Sequence, residues 1–146
     1  MRLRPLLLIS LTLLMAGATA KPLKTETVNV REHTIIAFVP SELKGARDDG
    51  SIEAAAHLSY AVQDTYKCLQ PMKLSIKFLY TDRVALRNGK NSEVLQVHQL
   101  GQAVGAVLVE PNRKAQTVFS VDGPSTLQYL LPQAASKYWQ VKACEQ

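Results

Sequence analysis

The sequence lacks the short motifs by which common catalytic and cofactor sites are recognised. It contains no G-x-S-x-G nucleophile elbow, no phosphate-binding loop and no G-x-G-x-x-G dinucleotide fingerprint. Its three histidines, His33, His57 and His98, show no H-x-x-x-H spacing and no pattern shared with the cysteines. We therefore expect no catalytic residue, no metal and no cofactor that a motif would identify.

The chain also has little excess charge and few aromatic residues. It carries 17 Lys plus Arg against 12 Asp plus Glu, and only 6% of its residues are aromatic. Basic and acidic residues are mixed along the chain, without the basic stripe and interleaved aromatic side chains that a nucleic-acid site requires. We expect no nucleic-acid partner.

Long apolar runs are absent except near the N-terminus, where Arg2 and Arg4 precede an apolar stretch at residues 6–15. This stretch is about half of the ~20 residues that a membrane-spanning helix needs. Small residues follow it as far as Ala20, which is the pattern of a signal-peptidase site. Residues 1–20 are therefore predicted to be a signal peptide cleaved after Ala20, and an uncleaved membrane anchor is the alternative.

Cleavage would leave a single domain, residues 21–146, with a net charge of +3, because Arg2 and Arg4 are the only charged residues removed. No later segment is long and apolar enough to anchor the chain, so we expect no stable membrane insertion after cleavage. The predicted location is the periplasm or the extracellular medium.

Cysteine is scarce, and the two cysteines that remain after cleavage, Cys68 and Cys144, predict one disulfide. Neither lies in a C-x-x-C pair or in the setting of a reactive thiol. In the chain-entropy picture, a link that closes a loop of this length stabilises the fold by about 4 kcal/mol. We expect the bond to be structural.

The first half of the domain has a strand, helix, strand pattern. β-Branched and aromatic residues over residues 27–39 predict one strand or a bent pair of strands. A polar loop over residues 41–50 precedes a helix that is predicted from a cap at Ser51 to Leu69, with apolar residues at every third or fourth position. Alternating apolar and polar residues over residues 74–80 then predict a half-buried strand.

The second half begins with two predicted hairpins. The Asn-Gly pair at residues 88–89 favours a hairpin between strands at residues 84–86 and 95–97, with a loop longer than two residues. A second hairpin is predicted between residues 103–109 and 116–121.

The last element is predicted to be a helix over residues 125–140. Ser125 and Gln128 have the spacing that caps a first turn reciprocally, and Pro132 is expected to bend or divide the helix. Trp139 is expected to pack in the core, because a small domain with few aromatic residues usually buries its tryptophan.

These elements predict an α+β fold with a mostly antiparallel sheet and two helices packed on one face. The proposed disulfide supports this arrangement, because it would join the end of the first helix to the tail after the second. If residues 92–100 were helical, the order would become βαβαββα, a thioredoxin-like topology without the redox motif.

Two classes of function remain open. The first is a small exported binding protein that acts through a protein–protein surface, as an inhibitor, an immunity protein or an assembly accessory. The second is a small extracytoplasmic hydrolase in which His33 or His98 works with a carboxylate. We favour the binding protein, because the catalytic motifs are missing.

Charged turn residues are the candidate contacts for a protein partner, because polar loops held by a rigid scaffold are common recognition sites. Two segments have this character, the loop over residues 41–50 and the hairpin tip over residues 110–114. The candidates are Glu42, Lys44, Arg47, Asp48, Asp49, Arg113 and Lys114.

Overall fold

A computed structural model describes residues 22–45, 47–96, 104–119, 123–142 and 144. The predicted signal peptide and His98 lie outside these ranges. Within them the chain forms seven strands and two α-helices, which confirms the α+β class. In chain order they are β1 (Thr25–Asn29), β2 (His33–Val39), α1 (Asp49–Leu69), β3 (Leu74–Tyr80), β4 (Arg83–Arg87), β5 (Glu93–Gln96), β6 (Gly105–Val109), β7 (Gln116–Val118) and α2 (Leu127–Trp139).

The strands form two mixed sheets instead of the one sheet expected from the sequence. The larger sheet has the order β3-β2-β6-β7, and the smaller sheet has the order β1-β4-β5. The β2/β3 and β1/β4 pairs are parallel, and the other three pairs are antiparallel. The apolar run at residues 27–39 is therefore a pair of strands, one in each sheet.

The second sheet is explained by the burial of the central strands. Six successive residues of β2, Thr34 to Val39, are buried, and so is every residue of β6. A strand that buries side chains on both faces needs a covering layer on each side. Helices on one face alone would have left half of these apolar side chains in water.

Both helices cover one face of the larger sheet, as predicted. One core cluster joins alternate residues of β2, such as Ile35 and Ala37, to Leu58 of α1 and Leu131 of α2. The opposite residues of β2, including Ile36 and Phe38, belong to a second cluster with strands of the smaller sheet. The fold is therefore a three-layer stack of helices, larger sheet and smaller sheet.

The beginning of α1 differs from the prediction. The N-cap is Asp48, whose side chain accepts a hydrogen bond from the Ser51 backbone N–H at 2.8 Å. Ser51 lies inside the first turn and is not the cap. An aspartate carboxylate satisfies one of the free N–H groups of the first turn and also interacts favourably with its positive end.

The beginning of α2 also differs from the prediction. A short 3-10 turn, Pro124–Thr126, comes first, and no side chain caps the helix at its N-terminus, so the reciprocal cap from Ser125 and Gln128 is wrong. Pro132 lies inside a helix that stays in one piece. Trp139 is buried, as expected.

The hairpin between β4 and β5 is confirmed, with a longer loop than two residues. Val84 pairs with Leu95 in an antiparallel register, and a 3-10 turn over Gly89–Asn91 fills the loop. Gly89 has a φ of 56°, a left-handed conformation that glycine adopts without steric cost. Residues 93–96 are a strand, so the helix that the thioredoxin-like alternative requires is not formed there.

The predicted disulfide is present between Cys68 and Cys144, with a Cα–Cα distance of 5.3 Å. Cys68 lies in the last turn of α1, and Cys144 is buried in the tail that follows α2. The bond therefore fixes the chain end against the helix layer.

Candidate functional site

The free edge of β3 is the most exposed apolar feature of the larger sheet. β3 pairs with β2 on one side, and no described strand pairs with its other side. Its seven residues span about 23 Å at the usual rise per residue. Such an edge presents a row of backbone N–H and C=O groups that can pair with another chain.

Two apolar side chains of β3 lie on the helix-facing side and are only partly covered. Ile76 and Phe78 pair with Ile35 and Ala37, whose side chains belong to the core under the helices. In spite of this register, Ile76 is 37% exposed and Phe78 is 38% exposed. The helix layer therefore covers the two ends of β3, where Leu74 and Tyr80 pack against the core, and covers the middle of the strand only in part.

Helix α1 carries two exposed apolar residues on its side away from α2. Cys68 is bonded to the tail after α2, so the side of α1 that carries Cys68 faces α2. Viewed along the helix axis, Tyr66 points about 200° away from Cys68. Ile52 comes two heptads before Tyr66 and points in nearly the same direction as Tyr66. Both are exposed and lie on the side of α1 away from α2. Ile76 and Phe78 are called the β3 strip below.

The charged side chains on and next to β3 are lysines. Lys77 is exposed on the opposite face of β3 and makes no ion pair with a described residue. Lys73, just before the strand, is almost fully exposed and lies 3.3 Å from Glu32. The edge is therefore apolar on one face and basic on the other.

A second candidate site is a polar cluster at the point where β2 begins and β6 ends. His33 Nε2 lies 2.9 Å from Glu110 Oε2, and Arg113 Nη1 lies 2.8 Å from Glu110 Oε1. The His33 ring also meets the Trp139 ring edge-on, with 5.3 Å between centroids. The structure thus brings a carboxylate to one of the two histidines considered for a hydrolase.

The same cluster connects the β6–β7 hairpin tip to the end of α2. Arg113 donates to the backbone carbonyl of Tyr138 at 2.6 Å and stacks over the Tyr138 ring. The Tyr138 hydroxyl donates in turn to the backbone carbonyl of Lys114. Burial raises the pKa of Tyr138, and the hydrogen bond to Glu110 raises the pKa of Arg113, so both side chains are held in their protonated forms.

A cleft of about 580 Å³ lies between α1 and α2. Neither His33 nor Glu110 lines it, so the histidine–carboxylate pair is outside this cleft. Its walls carry polar side chains from both helices, one aromatic ring, one proline and the disulfide: Asp64, Lys67, Cys68, Gln128, Tyr129, Pro132, Gln133 and Cys144.

The two loops predicted to bind a partner lie at opposite ends of β2. Residues 41–50 follow the last residue of β2, whereas the hairpin tip follows Val109, which pairs with Thr34 at the start of β2. The seven residues of β2 separate them by roughly 20 Å. A small contact surface would include one of these loops but not both.

Two of the seven candidate contacts already have structural roles. Asp48 caps α1, where the hydrogen bond from the Ser51 backbone lowers the pKa of its carboxyl, and Arg113 binds Glu110 and Tyr138. The other five lie at or near the surface in the two loops and at the start of α1, and they stay predictions: Glu42, Lys44, Arg47, Asp49 and Lys114.

The β3 strip was missed by the sequence analysis, although its strand was predicted correctly. The alternation of Ile76 and Phe78 with Ser75 and Lys77 indicates a strand with one buried face. Whether that face is covered depends on strand order, and an edge position has no local signature in the sequence.

Within the described residues, no group of three or more His, Cys, Asp or Glu side chains is arranged to hold a metal ion. None of the helices in the described ranges combines the length and apolar character of a membrane span. Comparison of the chain with family models, with curated proteins and with solved structures finds no match in any of the three.

Proposed function

We propose that this chain is a small exported binding protein, and that its partner adds an extended segment to the free edge of β3. The observation that carries the proposal is the exposure of Ile76 and Phe78 on a seven-residue edge strand. Strand addition obtains affinity from backbone hydrogen bonds and specificity from alternate side chains. The apolar run before Ala20 and the disulfide support an oxidising compartment outside the cytoplasm.

The chemistry of the edge defines the partner segment. Apolar side chains at alternate positions would pack on the β3 strip, and an acidic side chain between them would lie opposite Lys77. The segment would be extended, because only an extended backbone can continue the hydrogen-bond ladder of the sheet. A partner of this kind is a polypeptide with alternating apolar and acidic residues.

A second copy of this chain fits the edge less well. The antiparallel register that pairs Ile76 of one copy with Phe78 of the other also places Lys77 directly opposite Lys77. Like charges directly opposite each other destabilise a strand pair. Concentration-dependent dimerisation that Phe78→Lys abolishes would assign the edge to a second copy and would contradict the proposal of a foreign segment.

The test is selection from a random peptide library displayed on phage, using the oxidised domain of residues 21–146. We expect enriched peptides with alternating apolar residues and acidic residues between them. Their affinity for Phe78→Lys should fall about tenfold or more, which corresponds to about 1.4 kcal/mol. Val94→Lys is the matched control, because Val94 is also exposed but lies on the smaller sheet.

The controls make both outcomes informative. Thermal unfolding of each variant checks the fold, and Ile76→Lys provides a second substitution on the same face. If no peptide is enriched, or if the enriched peptides bind Phe78→Lys as tightly as the unmodified domain, the proposal is wrong.

A second candidate, the hydrolase, is favoured by one observation, the 2.9 Å approach of His33 Nε2 to Glu110 Oε2. A histidine held by a carboxylate is the arrangement of a general base. Hydrolysis of a panel of p-nitrophenyl esters that His33→Ala abolishes, while His57→Ala does not, would support this function. Equal rates for the two variants would exclude His33 from catalysis of that reaction.

A further inference from the structure

The cleft between α1 and α2 contains polar side chains that have no partner within the described part of the protein. Asp64 and Lys67 line one wall, and Gln128 and Gln133 line the other. None of these four side chains makes a hydrogen bond or an ion pair with a described residue. Asp64 and Lys67 are three residues apart on the same helix, yet they do not pair with each other.

An exposed aromatic ring completes the cleft. Tyr129 is 69% exposed, the highest exposure among the large apolar and aromatic side chains described. It stands beside Pro132, and the disulfide between Cys68 and Cys144 forms part of the same wall. A flat ring next to hydrogen-bonding groups offers a ligand an apolar platform together with polar groups that can fix its orientation.

We propose that this cleft binds a neutral oligosaccharide. The charges of Asp64 and Lys67 cancel, so the cleft as a whole favours neither an anion nor a cation. Each carboxamide of Gln128 and Gln133 both donates and accepts hydrogen bonds, which matches neighbouring sugar hydroxyls that do the same. The exposed face of Tyr129 offers a surface for the C–H face of a sugar ring.

The volume of the cleft agrees with a ligand larger than one sugar. About 580 Å³ lies within the range of roughly 300–1,000 Å³ that small-molecule sites occupy. A phosphorylated ligand fits less well, because Asp64 would repel the phosphate and Lys67 is the one cation that lines the cleft in the described part of the chain. A short neutral chain of sugars satisfies both the volume and the charge.

The test is titration of the ¹⁵N-labelled, disulfide-bonded domain with maltotriose, cellotriose and chitotriose, followed by NMR. We expect at least one of them to shift the side-chain amide signals of Gln128 and Gln133, with a Kd of about 1 mM. Tyr129→Ala should weaken that binding about tenfold or more. Tyr60→Ala is the matched control, because Tyr60 is 55% exposed on α1 but does not line the cleft.

The proposal is independent of the β3 edge, and Phe78→Lys should leave saccharide binding unchanged. If none of the three sugars shifts these amide signals at up to about 20 mM, the cleft is not a saccharide site. Shifts that persist in Tyr129→Ala, or that Tyr60→Ala removes equally, would also overturn the proposal.

Discussion

The guanidinium carbon of Arg113 lies 4.1 Å from the ring centroid of Tyr138, which follows it by 25 residues in the chain. This contact joins the tip of the β6–β7 hairpin to the last turn of α2. A cation over an aromatic face is attracted by the ring's electron density, and the hydrogen bonds to Glu110 and to the Tyr138 carbonyl hold the guanidinium in that position. Arg113 therefore stabilises the fold, whether or not it also contacts a partner.

Replacement of Arg113 should destabilise the protein more than replacement of its neighbour. Arg113→Ala removes the stacking and both hydrogen bonds, and we expect the midpoint of thermal unfolding to fall by a few degrees. Arg113→Lys should recover only part of the loss, because an ammonium group cannot stack and form the two bonds together. Lys114→Ala is the control, and a midpoint that falls equally in both alanine variants would show that the contact contributes nothing specific.

Asn88 should be the most sensitive polar position in the loops. It is buried, and its amide donates to the carbonyls of Glu110 and Arg113 at 2.9 Å and accepts from the Asn112 N–H at 2.7 Å. Asn88→Ala leaves these groups without their partner and should cost about 2 kcal/mol in urea unfolding. Asn88→Asp should be at least as damaging, because a carboxylate oxygen would face two carbonyl oxygens.

Asn91 gives the matched comparison for that prediction. It is less buried than Asn88 and makes one side-chain hydrogen bond across the same loops, to the Asn112 carbonyl. Asn91→Ala should therefore cost clearly less than Asn88→Ala. If the two variants have the same free energy of unfolding, the buried amide is not what holds the β4–β5 loop to the β6–β7 hairpin.

Asp48 should make part of the stability dependent on pH in acid. The backbone hydrogen bond from Ser51 lowers the pKa of the Asp48 carboxyl in the folded protein. Its stabilisation is therefore present at neutral pH, begins to be lost as the pH falls through the unfolded value of about 4, and disappears below the folded pKa. Asp48→Asn keeps an oxygen that can cap α1 but cannot titrate there.

The variants Asp48→Ala and Asp48→Asn distinguish the stabilisation due to the cap hydrogen bond from the stabilisation due to the charge. Asp48→Ala should lower the thermal midpoint by a few degrees at pH 7, and Asp48→Asn by less. The difference between the unmodified protein and Asp48→Asn should shrink between pH 5 and pH 2, with the unfolding followed by circular dichroism. A constant difference across that range would mean that the charge of Asp48 contributes nothing.

The disulfide should contribute a large part of the stability. Cys68 and Cys144 are 76 residues apart, and the entropy of closing such a loop corresponds to about 4 kcal/mol. The double variant Cys68→Ser/Cys144→Ser should lose most of that amount in urea unfolding. Alkylation with iodoacetamide should label neither cysteine before reduction, and labelling of the unreduced native protein would show that the pair is not bonded.

The parts of the fold that have local signals were predictable from the sequence. Helix α1, the edge strand β3 and both hairpins follow from periodicity and turn residues, and the disulfide follows from the cysteine count. The division into two sheets was not predictable in this way. It depends on the chain passing from one layer to the other between Asn29 and His33, where Arg31 and Glu32 indicate a break in the strand but not a change of sheet.

The caps show why the helix ends were harder to assign than the helices. Asp48 and Ser51 are both good capping residues, and the choice between them depends on where the chain leaves the preceding loop. The candidate site was even harder to predict from the sequence than the helix ends. The exposure of Phe78 depends on the packing of α1 over β2. The polar cluster at Glu110 unites His33, the β6–β7 hairpin tip and Tyr138, which are far apart in the sequence.

Amide hydrogen exchange is the most direct test of partner binding at the β3 edge. It would be measured by NMR on the oxidised domain of residues 21–146, with and without the tightest peptide selected from the library. We predict slower exchange at alternate residues of Leu74–Tyr80, because their outward-facing N–H groups become paired with the added strand. Protection confined to residues 41–50 or 110–114, with the exchange of β3 unchanged, would contradict the account.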